Sequence, residues 1–538
     1  MHISPTQANR YRAAKNKQPN LTPCRLAWCG LFSGLLLASW TIAAPHDHGA
    51  ETSTTEKTSN GPVRDASAVD SQVQDDDADS ALKTSGLFTG LNFTGITFAD
   101  GVASVPDTLA AIGPRHIVEL LNGRYAIYRK SDGTLLQANS LDQFWVAAGA
   151  TPPGFTTDSR LLFDRYSRRW FASTLALSSP GDGDHLLFAV SKNSNPAMGW
   201  TGFSIPFNGP LGNFADFPTL GLNRDGVFLY TNGSVVVLPK SDLLAKTPTI
   251  ANATGLNSFG LLTPTGSKLQ PIVNLDDSGL PEPIIGSWDV EGTTFKRYSI
   301  TGDVYSPALD TAVHLIPVIP FTGLGNVGAQ QPNSSVTISA GTTTFNSSIV
   351  LENGVMWGVQ GVASQGRAAL RWFAIDAKTN LVLQEGLIAD PDQDLYMGSL
   401  AVNEFNDVVI GFNESSNSQF VSSYAVRGTT RHGRTVFGHP LLLKAGVAAY
   451  SIFGPVTRWG DYSATLVDPK NARRFWTVQQ WVSAENIWAT QITELCLGAR
   501  TRDELHDSNS ETERPHAEHD EVPRQEFDRC EDREHDER

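Results

Sequence analysis

"DFPTLGLN" (216–223), "YMGSLAVN" (396–403) and "DYSATLVD" (461–468) are three copies of one pattern. Each opens on Asp or Tyr and carries Pro, Gly or Ser two residues later. Each then alternates small and apolar residues and closes on Asn or Asp. Period-two alternation with a turn-forming residue at its entrance is the signature of a strand. Looser copies are "DTLAAIGP" from Asp107, "DSRLLFD" from Asp158 and "NSSIVLEN" from Asn346. A polar turn and a second apolar strand follow each copy: "HIVEL", "RRWFAST", "GVFLYTN", "GVMWGVQ", "DVVIGF" and "RFWTVQQ".

The copies are spaced by 51, 58, 130, 50 and 65 residues. The gap of 130 is about two units, so one further unit is expected within 264–316. There "IIGSWDVEGTTFKRYSI" supplies strands without a clear opening motif. Seven units of this length are expected, each sufficient for a four-stranded blade, and radial repetition leaves only short strand edges exposed. The expected fold is all-β, a seven-bladed β-propeller over residues 83–498, with six or eight blades as alternatives. A pair of β-sandwiches would not predict one repeated strand entrance. The composition agrees: 47 Gly and 30 Pro are spread along a chain with 12 Trp and 26 Phe, which favours many short strands. Only "SLDQF" (140–144) and "SDLLAK" (241–246) read as short helical turns.

The flanks read differently. Arg10, Arg12, Lys15, Lys17 and Arg25 precede an uncharged apolar run, Leu26 to Ala44, that ends in small residues. Residues 1–44 are therefore expected to be an export signal cleaved near Ala43 or Ala44. An uncleaved anchor is the alternative, since about 20 apolar residues span a bilayer. Residues 45–82 and 499–538 are acidic and poor in apolar side chains, and disorder is expected in both. They hold most of the net charge of −15, which leaves a nearly neutral body. Nucleic acid is thus excluded as a partner, because its binding needs a basic face. With the signal removed, no membrane span is expected, the chain is expected to be a monomer, and its place is the periplasm, the cell surface or outside the cell. Export would permit a bridge between Cys496 and Cys530.

"VPDTLAAIGPRHIVELLNGRYAIYRKSDGTLL", "LLFDRYSRRWFAS", "DFPTLGLNRDGVFLYTN" and "RWGDYSATLVDPKNARRFWTVQQW" resemble a broad group of exported bacterial proteins over roughly residues 100–495. The resemblance implies a β-propeller or sialidase-like fold, mostly without an assigned activity.

In a propeller the entrance of each innermost strand lies at one mouth of the central channel. The repeat therefore places Asp107, Asp158, Asp216, Asn346, Tyr396 and Asp461 there as candidate ligand-binding residues. Clustered carboxylates must hold a cation, share protons or accept backbone N–H groups. Caps on strand entrances are one reading. Bound Ca²⁺ or acid–base carboxylates are the others. Asp461, Arg458 and Asp216 are the catalytic candidates, with Arg124, Arg160 and Tyr462 as further members of a sialidase-type site that would bind a carboxylate and activate a nucleophile. Tyr462 and Trp459 also suit packing between blades. Asp390, Asp392 and Asp394 alternate as at the start of a calcium loop, but the Gly and distal Glu of such a loop are absent. "GDGDH" (181–185) is a fainter version. No cofactor is required. The expected function is a binding module for a glycan or a protein at the channel mouth. A glycoside hydrolase or polysaccharide lyase using the same carboxylates, and a structural surface protein, are the alternatives.

Overall fold

The computed structural model describes residues 86–498, apart from positions 102, 179–182, 208–214, 232, 259–267, 288–290, 326 and 453. The expected export signal, acidic linker and charged tail lie outside the described residues, as does Cys530. Cys496 is disulfide-bonded.

The alternating segments form strands, and among the described residues the strands make seven antiparallel blades: four are separate sheets, three are joined in one thirteen-stranded sheet, and a further three-stranded sheet, Gly328–Ala329, Thr337–Ser339 and Val456–Thr457, lies outside the blades. Blade 1 runs outward from Ala110–Ile112 through His116–Leu121 and Arg124–Arg129 to Leu135–Ser140. Blade 2 is Phe155–Asp164, Arg169–Leu177, His185–Ser191 and Trp200–Pro206. Blade 3 is Thr219–Leu222, Gly226–Thr231, Ser234–Pro239 and Thr254–Asn257. Blade 4 is Leu269–Pro271, Glu282–Gly286, Glu291–Asp303 and Ser306–Thr322. Blade 5 is Val350–Glu352, Val355–Ser364, Arg367–Asp376 and Val382–Ile388. Blade 6 is Asp394–Val402, Val408–Ser416 and Gln419–Arg431, edged by Arg434–Phe437 and Leu441–Lys444. Blade 7 takes Ala464–Val467, Arg474–Ala484 and Ile487–Leu497 from the end of the described chain, and its outermost strand, Leu87–Thr97, from the beginning.

The inner strands close a ring. Each lies beside the next from blade 1 to blade 7, and that of blade 7 lies against that of blade 1. Between blades 3 and 5 the ring is hydrogen-bonded in parallel register through the two-residue strand Val273–Asn274, which follows the inner strand of blade 4, with Leu222 beside Val273 and Val273 beside Val350. Seven blades in one closed ring make the fold a seven-bladed β-propeller. The fourth blade occupies the gap left by the repeat. Its entrance residue is Lys268 rather than an acid, and its inner strand is only three residues long.

Both expected helical turns are present. Leu141–Ala148 is capped by Ser140, whose hydroxyl accepts from Gln143 N–H while the Gln143 side chain accepts from Ser140 N–H. This reciprocal capping box explains why "SLDQF" starts a helix. Lys240–Leu244 forms the second. No helix among the described residues is long and apolar enough to cross a membrane.

Large aromatic side chains fill the spaces between blades, among them the fully buried Trp145, Trp170, Trp459, Trp476 and Trp488. Charged ties cross the same spaces. Lys240 of blade 3 meets Asp164 of blade 2 at 2.8 Å, and Lys130 of blade 1 meets Asp468 of blade 7 at 2.7 Å.

Closure of the ring has its own titratable group. Glu119 of blade 1 is fully buried and accepts from Ile96 N–H of the closing strand (3.1 Å) and from Tyr128 OH (2.8 Å). Its Oε1 has no partner. Burial, the main cause, raises the Glu119 pKa. The folded chain therefore binds a proton that the unfolded chain releases near pH 4.3. Stability from this group is fully present below that pH and is lost as pH rises through the folded value. Glu119→Gln mimics the protonated acid, so its melting temperature should gain on that of the wild type as pH rises above the unfolded value of about 4.3. A pH series of thermal melts checks this, and parallel curves would contradict it.

Candidate binding site at the channel mouth

The parallel inner strands bring their entrances to one end of the channel. The turn into each strand needs a backbone bend. Asp107, Asp158, Phe217 and Met397 all supply it with positive φ, between 48° and 56°. Asp tolerates this conformation better than most residues because its short side chain bonds locally.

Five of the six expected residues gather there: Asp107, Asp158, Asp216, Asn346 and Asp461. Asp107 Oδ1 accepts from Asp461 N–H (2.9 Å), and Asp107 Oδ2 accepts from Asn122 Nδ2 (2.7 Å). Asp158 Oδ1 accepts from Thr157 OH, and Asp158 Oδ2 accepts from Tyr462 OH, both at 2.9 Å. Asn122 Oδ1 accepts from Asp158 N–H at 3.1 Å and so links the entrances of blades 1 and 2. Asn346 Nδ2 donates to Asp461 O at 2.7 Å. Asp216 is exposed, and its N–H donates to Thr231 Oγ1 (3.1 Å).

A plug of side chains crosses the channel beneath this rim. Leu109, Phe217 and Tyr462 form a small buried apolar cluster. The Tyr462 and Phe217 rings meet edge to face at 5.0 Å, and the Arg160 guanidinium stacks 3.5 Å from the Tyr462 ring centre. Arg160 Nε donates to Pro218 O at 2.5 Å. Lys268 lies 3.3 Å from the centre of the Phe217 ring. Tyr462 of blade 7 thus touches blades 2 and 3 across the axis.

The electrostatics separate inner acids from outer ones. Asp107 is pushed well above the usual carboxylate range by burial and then by the charges of Asp461 and Asp158. Asp158 is raised by burial and by Asp461 and Asp216. Asp216 is raised by desolvation, against which the Lys268 cation acts. Arg458 forms an ion pair with Asp461 and is held in its charged form chiefly by that carboxylate. The side chains of Arg458 and Asp461 remain 44% and 21% exposed. The rim that solvent reaches is therefore Asp216, Asp461 and Arg458. Tyr462 stays a neutral phenol, because burial and then Asp158 raise its pKa far upward.

The remaining candidates lie elsewhere. Tyr396 is wholly buried inside blade 6, where its OH donates to Ser415 Oγ (3.0 Å), so it stands apart from the rim. Arg124 sits in the third strand of blade 1, away from the plug. Asp390 Oδ1 caps its own turn by accepting from Asp392 N–H and Gln393 N–H. Asp394 is buried and accepts from Gln330 N–H, Ala368 N–H and Arg367. Asp184 of "GDGDH" accepts from Ser178 N–H and Ala215 N–H. Among the described residues no group of three His, Cys, Asp or Glu side chains is arranged to hold a metal ion. The repeat alone does not reveal Asn122, Lys268 or Phe217. Asn122 reads as half of an Asn-Gly hairpin turn, Lys268 opens the one unit without a motif, and Phe217 reads as core.

The chain matches no family model and no curated protein. Among solved structures it is similar to the WD40 domain of SCAP from fission yeast, at 8% identity over 72% of this chain and 81% of that one, with a TM-score of 0.32. The propeller fold is shown by the strand order and the closed ring.

Proposed function

We propose that this chain is an exported binding module whose ligand, a glycan or a protein segment, docks on the rim formed by Asp216, Asp461 and Arg458. One observation carries this reading. The deep acids already spend their oxygens on the chain's own donors, whereas Asp216 and the Arg458–Asp461 pair face solvent. An exposed carboxylate beside an exposed ion pair offers acceptors and donors together, which suits sugar hydroxyls or basic and amide groups of a peptide.

The enzyme reading has one observation of its own, the Tyr462–Asp158 pair beside Arg160. A tyrosine activated by a carboxylate could act as a nucleophile. Here, however, Tyr462 is 1% exposed, wedged between Arg160 and Phe217, and strongly held neutral. A substrate would have to displace the plug to reach it. Binding without chemistry is the simpler use of the rim.

The test is a screen of glycans and peptides against the full chain, scored for both binding and cleavage. Asp216→Asn should weaken binding of any ligand found by about tenfold, the worth of one charge-assisted hydrogen bond. Asp390→Asn, on the turn that connects blades 5 and 6, should leave it unchanged. Equal affinity in wild type and Asp216→Asn would remove the rim as the site.

A further inference from the structure

The chain leaves the propeller at the end opposite the channel mouth. The turns after the inner strands lie at that end, and the third strands, which run the same way, also finish there. The third strand of blade 7 finishes at Leu497, whose N–H donates to Arg473 O (3.0 Å). Arg473 in turn donates to the Leu497 and Gly498 carbonyls. Residues 501–538, with fifteen acids and six bases, therefore follow from this end of blade 7.

Among the described residues, the acids at this end of blades 7, 1 and 2 are all matched. Asp468 meets Lys130, Asp132 meets Arg129, Glu494 meets Arg474 and Asp164 meets Lys240. The bases are not all matched. Lys470, Arg115, Arg168 and Lys192 are exposed, and none of them has an ion pair among the described residues. They form one arc. Lys130 N–H donates to Arg115 O (3.0 Å), while its ammonium holds Asp468, two residues before Lys470. Gly113, two residues before Arg115, packs against the Trp170 ring of blade 2. The Trp170 indole N–H donates to Ser194 O (3.0 Å), in the turn that carries Lys192, and Arg168 stands two residues before Trp170. Across the ring, at the same end, the turns of blades 4 and 6 instead expose Asp277 and Glu404.

Charge and connectivity identify what covers the arc. Residues 503–521 carry eight acids and one base and begin five residues after Gly498. Residues 499–521 reach about 75 Å when extended, ample to cross blades 1 and 2. A tether keeps such a segment at high local concentration, so individually weak surface pairs suffice. Cys496 is disulfide-bonded and is the only cysteine among the described residues. Cys530 is the one cysteine downstream of it, and a bridge between them would return the far part of the tail to blade 7. We propose that residues 503–521 dock on the arc formed by Lys470, Arg115, Lys192 and Arg168, so that the chain covers its own basic face. The channel mouth, at the other end, stays uninvolved.

Carbodiimide cross-linking of the full chain, without reductant, tests this, because it joins lysines only to carboxylates in contact. Peptide mapping should find Lys470 and Lys192 linked to acids of 503–521. The yield should not depend on protein concentration and should fall in about 1 M salt, where the Debye length is about 3 Å. Lys378, exposed in the blade 5 turn at the same end, should stay unlinked. Arg115→Glu combined with Arg168→Glu should cut both yields by about tenfold. Both positions are exposed, and thermal melts confirm that the variant is folded. Added polyglutamate peptide then probes the arc for another occupant. The wild type should bind it at least about tenfold more weakly than a full-length variant whose eight acids in 503–521 are changed to their amides, because the tail competes from within. Links spread equally to Lys378, yields indifferent to the double substitution, or equal polyglutamate binding by the two proteins would each overturn the proposal. The last is the result expected if the arc instead serves an acidic partner outside this chain.

Discussion

Asp164→Ala should lower the unfolding free energy by about 3–5 kcal/mol, the typical cost of leaving one member of a buried ion pair uncompensated. Asp164 ends the inner strand of blade 2 and meets Lys240 of blade 3, and both side chains are almost excluded from solvent, at 1% and 6% exposure. The same carboxylate organises the turn that follows, accepting from Tyr166 N–H, Ser167 N–H and Ser167 OH. Alanine would strand the Lys240 ammonium between two blades and undo the turn. Lys240→Met should cost less, because the carboxylate keeps its turn donors. Adding Lys240→Met to Asp164→Ala should recover part of the loss, since no cation is then left buried. Urea midpoints of the three variants measure this cycle. A loss under about 1 kcal/mol for Asp164→Ala, the range of an exposed pair, would mean that the tie is solvated.

Trp459→Ala should cost a similar amount, about 3–5 kcal/mol, as for other buried large aromatics. Trp459 is 1% exposed and packs edge to face on Tyr450 at 5.0 Å. Its indole N–H donates to Asn413 Oδ1 of blade 6 at 2.9 Å, and its carbonyl accepts from Gln480 of blade 7. Removal leaves a cavity between the last two blades and an orphaned amide. Trp459→Phe keeps most of the apolar volume and loses only the hydrogen bond, so about 1–2 kcal/mol is expected. Thermal or urea melts separate the two. Equal effects would show that the Asn413 bond, not the packing, matters.

The repeat was legible because a propeller blade asks the same thing of each inner strand: a bend at the entrance, then small and apolar residues. Three close copies and three loose ones were enough to count the units. Side-chain direction was less legible. In blades 1 and 2 the residue with positive φ is the aligned Asp itself, Asp107 or Asp158. In blades 3 and 6 it is the next residue, Phe217 or Met397. Matching by letter therefore treated Tyr396 as equivalent to Asp107, although Tyr396 precedes the bend and is buried in its sheet. Blade 4 was silent because Lys268 replaces the acid and its first strand is short. The partners of the inner acids come from distant turns. Asn122 reaches Asp107 and Asp158 only once blades 1 and 2 stand side by side, and no local pattern encodes that meeting.

The sequence pointed to Asp461 as a channel-mouth residue with Arg458 and Trp459 before it, and the fold divides those roles. Trp459 holds blades 6 and 7 together, Asp461 N–H ties blade 7 to Asp107 of blade 1, and the Arg458–Asp461 side chains remain at the surface. Tyr462 turns the other way and fills the axis. Consecutive residues thus alternate between holding the ring and facing outward.

Within the ligand screen, the decisive measurement is mass-spectrometric detection of product for every compound that binds, with wild type and Asp461→Asn side by side. Intact ligand is expected after prolonged incubation with either protein, with weaker binding to the variant. Product formed by the wild type and abolished in Asp461→Asn would contradict it and make the rim a catalytic site.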